Sequence, residues 1–120
     1  MEVKERRKYL RIGADLKAEF WAKGPSMIGG QAQVRDFSRE GLGVQFSKPV
    51  SLGEHVDLTM KVPGDNIPIF ATAEVTWAQE EDPAATGAGL KFLSIKPLDL
   101  ARLLDFVYSC WLGSPRPKGS

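Results

Sequence analysis

From Ala14 to Ala22 apolar and polar side chains alternate: Leu16, Ala18 and Phe20 point one way, Lys17, Glu19 and Trp21 the other. That period of two belongs to a half-buried strand. Gln31 to Phe37 predicts a second strand with Ala32 and Val34 inward, and Leu42 to Ser47 a third, ended by Pro49. His55 to Val62 gives the cleanest alternation, with Val56, Leu58, Met60 and Val62 facing in. Ile67 to Trp77 predicts a long strand with Ile69, Ala71, Ala73, Val75 and Trp77 on one face; Ala88 to Ile95 follows with Leu90 and Phe92 inward. Gly24-Pro25-Ser26 and Gly29-Gly30 bracket a loop, Ser51 to Glu54 and Pro63 to Asn66 are turns, and Glu80 to Gly87 reads as an acidic loop.

After Pro97 the period changes. Leu100, Leu103, Leu104, Val107 and Trp111 lie on one face of a helix, with Asp99, Arg102 and Asp105 on the other. Pro97 suits a first helical turn, and Gly113-Ser114-Pro115 stops the helix. Six strands and one amphipathic helix predict a mainly β fold: a small six-stranded antiparallel β-barrel with a C-terminal α-helix. Residues 1–13 read as a flexible basic arm, 14–112 as barrel plus helix, and 113–120 as a polar tail.

With 120 residues there is room for one domain and one modest core. The net charge of +1 supplies no global attraction to nucleic acid or an anionic membrane. The charge is concentrated instead: Lys4, Arg6, Arg7, Lys8 and Arg11 crowd the first dozen residues against Glu2 and Glu5. A basic arm on a neutral body suits a small anionic ligand. A barrel binding single-stranded nucleic acid would need its basic groove on the strands, and these residues lie off them. The single cysteine, Cys110, excludes an internal disulfide, and there is no apolar run near 18 residues and no signal-peptide core. These features predict a cytoplasmic protein without membrane insertion.

Two short motifs carry the candidate chemistry. Asp36-Phe37-Ser38-Arg39-Glu40-Gly41 sets an acceptor-only carboxylate, a hydroxyl and a glycine between two strands. A carboxylate suits the paired N–H donors of a guanine edge. Taken alone, Asp-x-Ser-x-x-Gly is also an ordinary turn composition. Arg7 and Arg11 stand four residues apart, with Arg6 just before them, and guanidinium groups suit phosphates and planar bases. An Arg-x-x-x-Arg followed 25 residues later by Asp-x-Ser-x-x-Gly resembles the PilZ domain family, bacterial receptors for cyclic di-GMP. The resemblance runs from about Glu5 to about Leu112.

The resemblance implies a six-stranded barrel with a C-terminal helix. It further implies that Arg7 and Arg11 hold phosphates and meet guanine, that Asp36 and Ser38 take a guanine edge, and that Gly41 keeps the backbone compact beside the ligand. In similar proteins an Arg just before the first motif Arg accompanies a stacked cyclic di-GMP dimer, so Arg6 predicts two nucleotides per chain. Binding would close the arm onto the barrel and change what a downstream protein sees. The alternative is a PilZ-like interaction scaffold that binds no nucleotide. With no second domain in this chain, the output is expected in a separate protein or a second copy, as a homodimer.

The residues point away from catalysis and metal binding. His55 is the sole histidine and sits at an outward strand position, and Cys110 is expected to be semi-buried and inert. Neither has a partner at nucleophile-base or metal-ligand spacing, so no cofactor is expected beyond the nucleotide ligand. Trp21 and Tyr108 have two readings: a partner surface beside the helix, or packing where helix meets barrel.

Overall fold

The computed structural model describes residues 12–23, 28–38, 41–82 and 85–112. Six strands are formed: β1 (Ile12–Lys23), β2 (Ile28–Phe37), β3 (Gly41–Phe46), β4 (His55–Met60), β5 (Ile69–Asp82) and β6 (Ala85–Ile95), followed by α1 (Pro97–Leu112). All neighbours pair antiparallel, in a closed barrel of order β1-β2-β3-β6-β5-β4. The expected barrel and C-terminal helix are both present. Every strand pairs with two neighbours over at least part of its length.

The inward sets fill the barrel. Leu16, Ala18 and Phe20 of β1, Val56, Leu58 and Met60 of β4, and Ile69, Ala71, Ala73 and Val75 of β5 are all buried. Phe20 and Phe46 meet edge to face across the interior, with ring centroids 4.7 Å apart, a favoured aromatic geometry. Leu103 and Val107 of α1 belong to the same core, so the helix completes it, packing chiefly on β1 and also on β5. Strand register gathers the start of β1, the end of β2, the start of β3 and the end of β6 at one end of the barrel. The helix begins there, directly after Ile95.

Several elements depart from a strict period of two. β2 starts at Ile28, so Gly29 and Gly30 are strand residues rather than loop. The reason is Trp21, whose ring lies across Gly29 on the neighbouring strand, where a Cβ would collide with it. The expected loop from Glu80 to Gly87 is mostly hairpin: β5 runs to Asp82, and Gln79 and Glu80 pair with Gly87 and Thr86. In β5 the register shifts between Val75 and Trp77. That bulge turns Trp77 out, 48% exposed, rather than in with Val75. Trp21 and Tyr108 are each about half exposed, and Cys110 is exposed rather than semi-buried.

A polar clamp joins the helix to the β4–β5 turn. Gly64 turns the chain at φ +84°, which favours glycine, and Asp65 follows. The Asp65 carboxylate accepts the Ile67 N–H at 3.0 Å and lies 2.6 Å from Arg102 Nη2. Arg102 also reaches Asp99 Oδ1 at 3.0 Å and donates to the Ile67 carbonyl. The Ile67 N–H bond first, and then Arg102, hold the Asp65 carboxyl below its ordinary value of 3.8. A depressed carboxyl contributes stability that is present above its unfolded pKa and lost as pH falls through the folded value.

Two outcomes follow from this packing. Asp65→Asn should melt a few degrees below the wild type at neutral pH, and the gap should close as pH drops below 4 (by circular dichroism); a gap independent of pH would remove the ionised clamp. At Gly41 a Cβ would overlap the Leu90 carbonyl oxygen and crowd Lys91 on β6. Gly41→Ala should therefore cost about 1–3 kcal/mol by overpacking, read as a lower urea midpoint at constant slope. An unchanged midpoint would mean that β3 and β6 are not held this close.

Candidate functional site

Strict alternation from Ala32 and Val34 would send Asp36 into the core and Phe37 into solvent. The structure resolves that conflict with a bulge. Val34 pairs with Val44, but Asp36 pairs with Gly43, so Arg35 is the extra residue on β2. The inserted residue flips the parity of everything after it. Phe37 goes in, 2% exposed, and Asp36 comes out beside Arg35 on the barrel's outer surface.

From Asp36 a row runs across four strands in register: Asp36 on β2 opposite Gly43 on β3, Gly43 opposite Gly89 on β6, and Gly89 opposite Trp77 on β5. The outer strands of the row are roughly 14 Å apart, three spacings of about 4.8 Å. Two glycines form its floor. A Cβ at Gly43 would lie 2.7 Å from both Asp36 carboxylate oxygens, and one at Gly89 would collide with the Trp77 indole at Nε1. The carboxylate and the ring therefore converge over bare backbone from opposite sides. The Thr76 hydroxyl, on the bulge beside Trp77, donates to the Gly89 carbonyl at 3.2 Å.

Asp36, Gly43 and Trp77 of this row line a groove of about 270 Å³ with Arg35, Val44, Gln45, Gly87 and Ala88. That is smaller than the ~300–1,000 Å³ of pockets that enclose a drug-sized ligand. It suits one planar group rather than a whole dinucleotide. Chemically it offers a carboxylate acceptor, a guanidinium, an amide and an indole whose outer half stays open to solvent.

Ser38 and Gly41 close the hairpin between β2 and β3. The Ser38 N–H donates to the Gly41 carbonyl at 2.9 Å, and the Gly41 N–H reaches the Ser38 Oγ at 3.4 Å. The Ser38 hydroxyl accepts in that pair, so its own hydrogen can be donated elsewhere. Asp36, Ser38 and Gly41 are thus brought together at one end of the barrel. Arg6, Arg7 and Arg11 lie outside the described residues. Ile12, next in sequence after Arg11, pairs with Phe37, and Gly13 pairs with Asp36, so the described chain starts beside the motif.

Sequence reading missed Trp77, Arg35 and Gln45 as groove residues. The signal for Arg35 was the parity conflict between Val34 and Phe37. Trp77 carried no comparable signal, because its bulge sits at Thr76 within an unbroken inward-looking pattern. Among the described residues no group of three His, Cys, Asp or Glu is placed to hold a metal ion. Nor, among them, is any helix long and apolar enough to cross a membrane.

Comparison with solved structures gives the same architecture. The Bacillus subtilis inhibitor of motility, MotI/DgrA, is similar with a TM-score of 0.66 at 21% identity, over 89% of this chain and 51% of that one. This chain therefore spans about half the length of MotI/DgrA. The PilZ domain of Escherichia coli YcgR, solved with c-di-GMP, is similar with a TM-score of 0.65 at 19% identity, over 87% of this chain and 90% of that one. At such identities the likeness is one of fold. No match was found among curated proteins. The family model described as PilZ domain matches residues 5–109, nearly the whole chain, and the barrel and helix agree with it: the chain belongs to the PilZ domain family.

Proposed function

We propose that this chain is a receptor for cyclic di-GMP that acts by binding rather than by catalysis. The observation that carries the reading is the row Asp36–Gly43–Gly89–Trp77, which sets a carboxylate and an indole over a floor free of side chains. A guanine entering there meets an acceptor matched to its N–H edge. It also meets an aromatic face, and base–aromatic stacking contributes about 1–3 kcal/mol. The solved complex of the YcgR domain with c-di-GMP supports the same ligand class.

A groove for one base leaves the phosphates and the second base outside it. In this reading the arm supplies what the groove lacks. Arg11 immediately precedes Ile12, and Arg7 lies five residues before it, within about 18 Å of fully extended chain. Both can reach a ligand held at Asp36. Charge-assisted hydrogen bonds contribute roughly 1.5–3 kcal/mol each. Two from the arm together with Asp36 cover much of the ~8 kcal/mol of a micromolar complex. Arg6 adds a third cation, which serves a stacked pair of nucleotides. A second depression, about 340 Å³ along Gln45, Gln33, Gln31 and Lys17, adjoins the groove and offers room for the second molecule.

Ligand binding would then close the arm onto the β1–β2 end of the barrel, where the helix also begins. The surface presented to a partner protein, or to a second copy, changes with it. The setting we propose is the bacterial cytoplasm, where the second messenger is made.

Titration calorimetry of the purified chain with cyclic di-GMP tests this reading. We expect micromolar or tighter binding with close to two ligands per chain. Arg11→Ala and Asp36→Ala should each weaken it roughly ten- to a hundred-fold, about 1.4–2.8 kcal/mol. No heat and no change in melting temperature at high ligand would replace the receptor with a scaffold that uses the fold to hold a protein. A stoichiometry of one would remove the role given to Arg6.

A further inference from the structure

The β2 bulge presents Arg35 as well as Asp36. Arg35 has no residue opposite it on β3, because Val34 and Asp36 take the consecutive partners Val44 and Gly43. Its side chain is exposed on the outer surface, and its Nη2 donates to Gln45 Oε1 at 2.5 Å. Gln45 stands two residues beyond Gly43 on β3, on the same outer face, and lines the groove with Arg35, Asp36 and Trp77. The barrel's packing needs an extra residue at this point to turn Phe37 inward, but it does not need a positive one. An exposed guanidinium here contributes little to stability.

Among the described residues lining the groove, Arg35 is the sole cation. It stands next to Asp36, whose charge repels any phosphate brought close by a base bound below. Gln45 occupies one side of the guanidinium fork and limits its rotamers, and the remaining N–H groups are available for a bidentate contact. Holding the fork in place beforehand reduces the side-chain entropy lost when an anion arrives.

We propose that Arg35, braced by Gln45, is a phosphate-binding residue of the groove, carried by the barrel itself and independent of the arm. The inference rests on the receptor reading above. It makes Gln45 a positioning residue, acting through Arg35. It also means that a chain whose arm arginines are replaced keeps part of its affinity, and that this remainder depends on Arg35.

The experiment is calorimetry with cyclic di-GMP on the full chain at two ionic strengths, for the wild type and for Arg35→Ala, Arg35→Lys, Gln45→Ala and Asp36→Ala, each checked by thermal melting. Arg35→Ala should bind roughly tenfold more weakly, with a flatter salt dependence and an unchanged melting temperature. Arg35→Lys should recover part of the loss, since the charge returns without the planar fork. Gln45→Ala should show a smaller loss of affinity at wild-type stability and wild-type salt dependence. Wild-type affinity and salt dependence in Arg35→Ala, with binding lost in Asp36→Ala, would overturn the proposal and leave the receptor standing. No binding by the wild type would overturn the receptor reading, and this inference with it.

Discussion

A closed barrel allows a strand little freedom of register. Each strand is hydrogen-bonded on both sides, so a side chain that must change face can do so only if one residue is inserted and left unpaired. At Arg35 that constraint decides the site. The bulge between Val34 and Asp36 sends Phe37 into the core and Asp36 onto the surface, opposite Gly43. Without it the carboxylate would be buried, at a steep desolvation cost, and the aromatic ring exposed. The bulge at Thr76 does the same for Trp77 on the far side of the row. Two local irregularities thus set the chemistry of one groove, and the regular pairing between them supplies its floor.

Much of the fold was legible in the alternation itself. The inward sets of β1, β4 and the first half of β5 are those read from Leu16, Val56 and Ile69 onward, and α1 buries Leu103 and Val107 as the helical spacing requires. What escaped was whatever breaks the period. An inserted residue leaves no mark except a parity misfit, visible at Asp36 and Phe37 and absent at Trp77. The glycine-rich and acidic stretches read as loops for a related reason. Gly29 is a sheet residue because the Trp21 ring lies across it, and the sequence of one strand says nothing of what the next lays on top. Gly41 is similar: its motif position suggested a ligand, while its backbone is pressed against Leu90 of a strand nearly fifty residues away.

The site is legible only in halves. Asp36, Ser38 and Gly41 were marked by their motif, and the structure gathers them at the end of the barrel where β1 begins. Trp77, Arg35 and Gln45 come from two other strands and a bulge, and only the register brings them to the same place. The helix begins at that end too, tied to the β4–β5 turn through Arg102, Asp65 and Asp99. A ligand that draws the basic arm to Asp36 would therefore act beside the helix and the turn it clamps.

The most direct measurement is a two-dimensional amide spectrum recorded during titration with cyclic di-GMP. Trp21 over Gly29 repeats the arrangement of Trp77 over Gly89, but the carboxylate of its row, Asp57, stands on the β4 side of the ring rather than across the glycine and pairs with Lys23, which makes it an internal control. The account predicts that the Trp77 indole N–H and the Gly43 and Gly89 amides shift with ligand while those of Trp21 and Gly29 stay in place. Binding that leaves Trp77, Gly43 and Gly89 unmoved would contradict it.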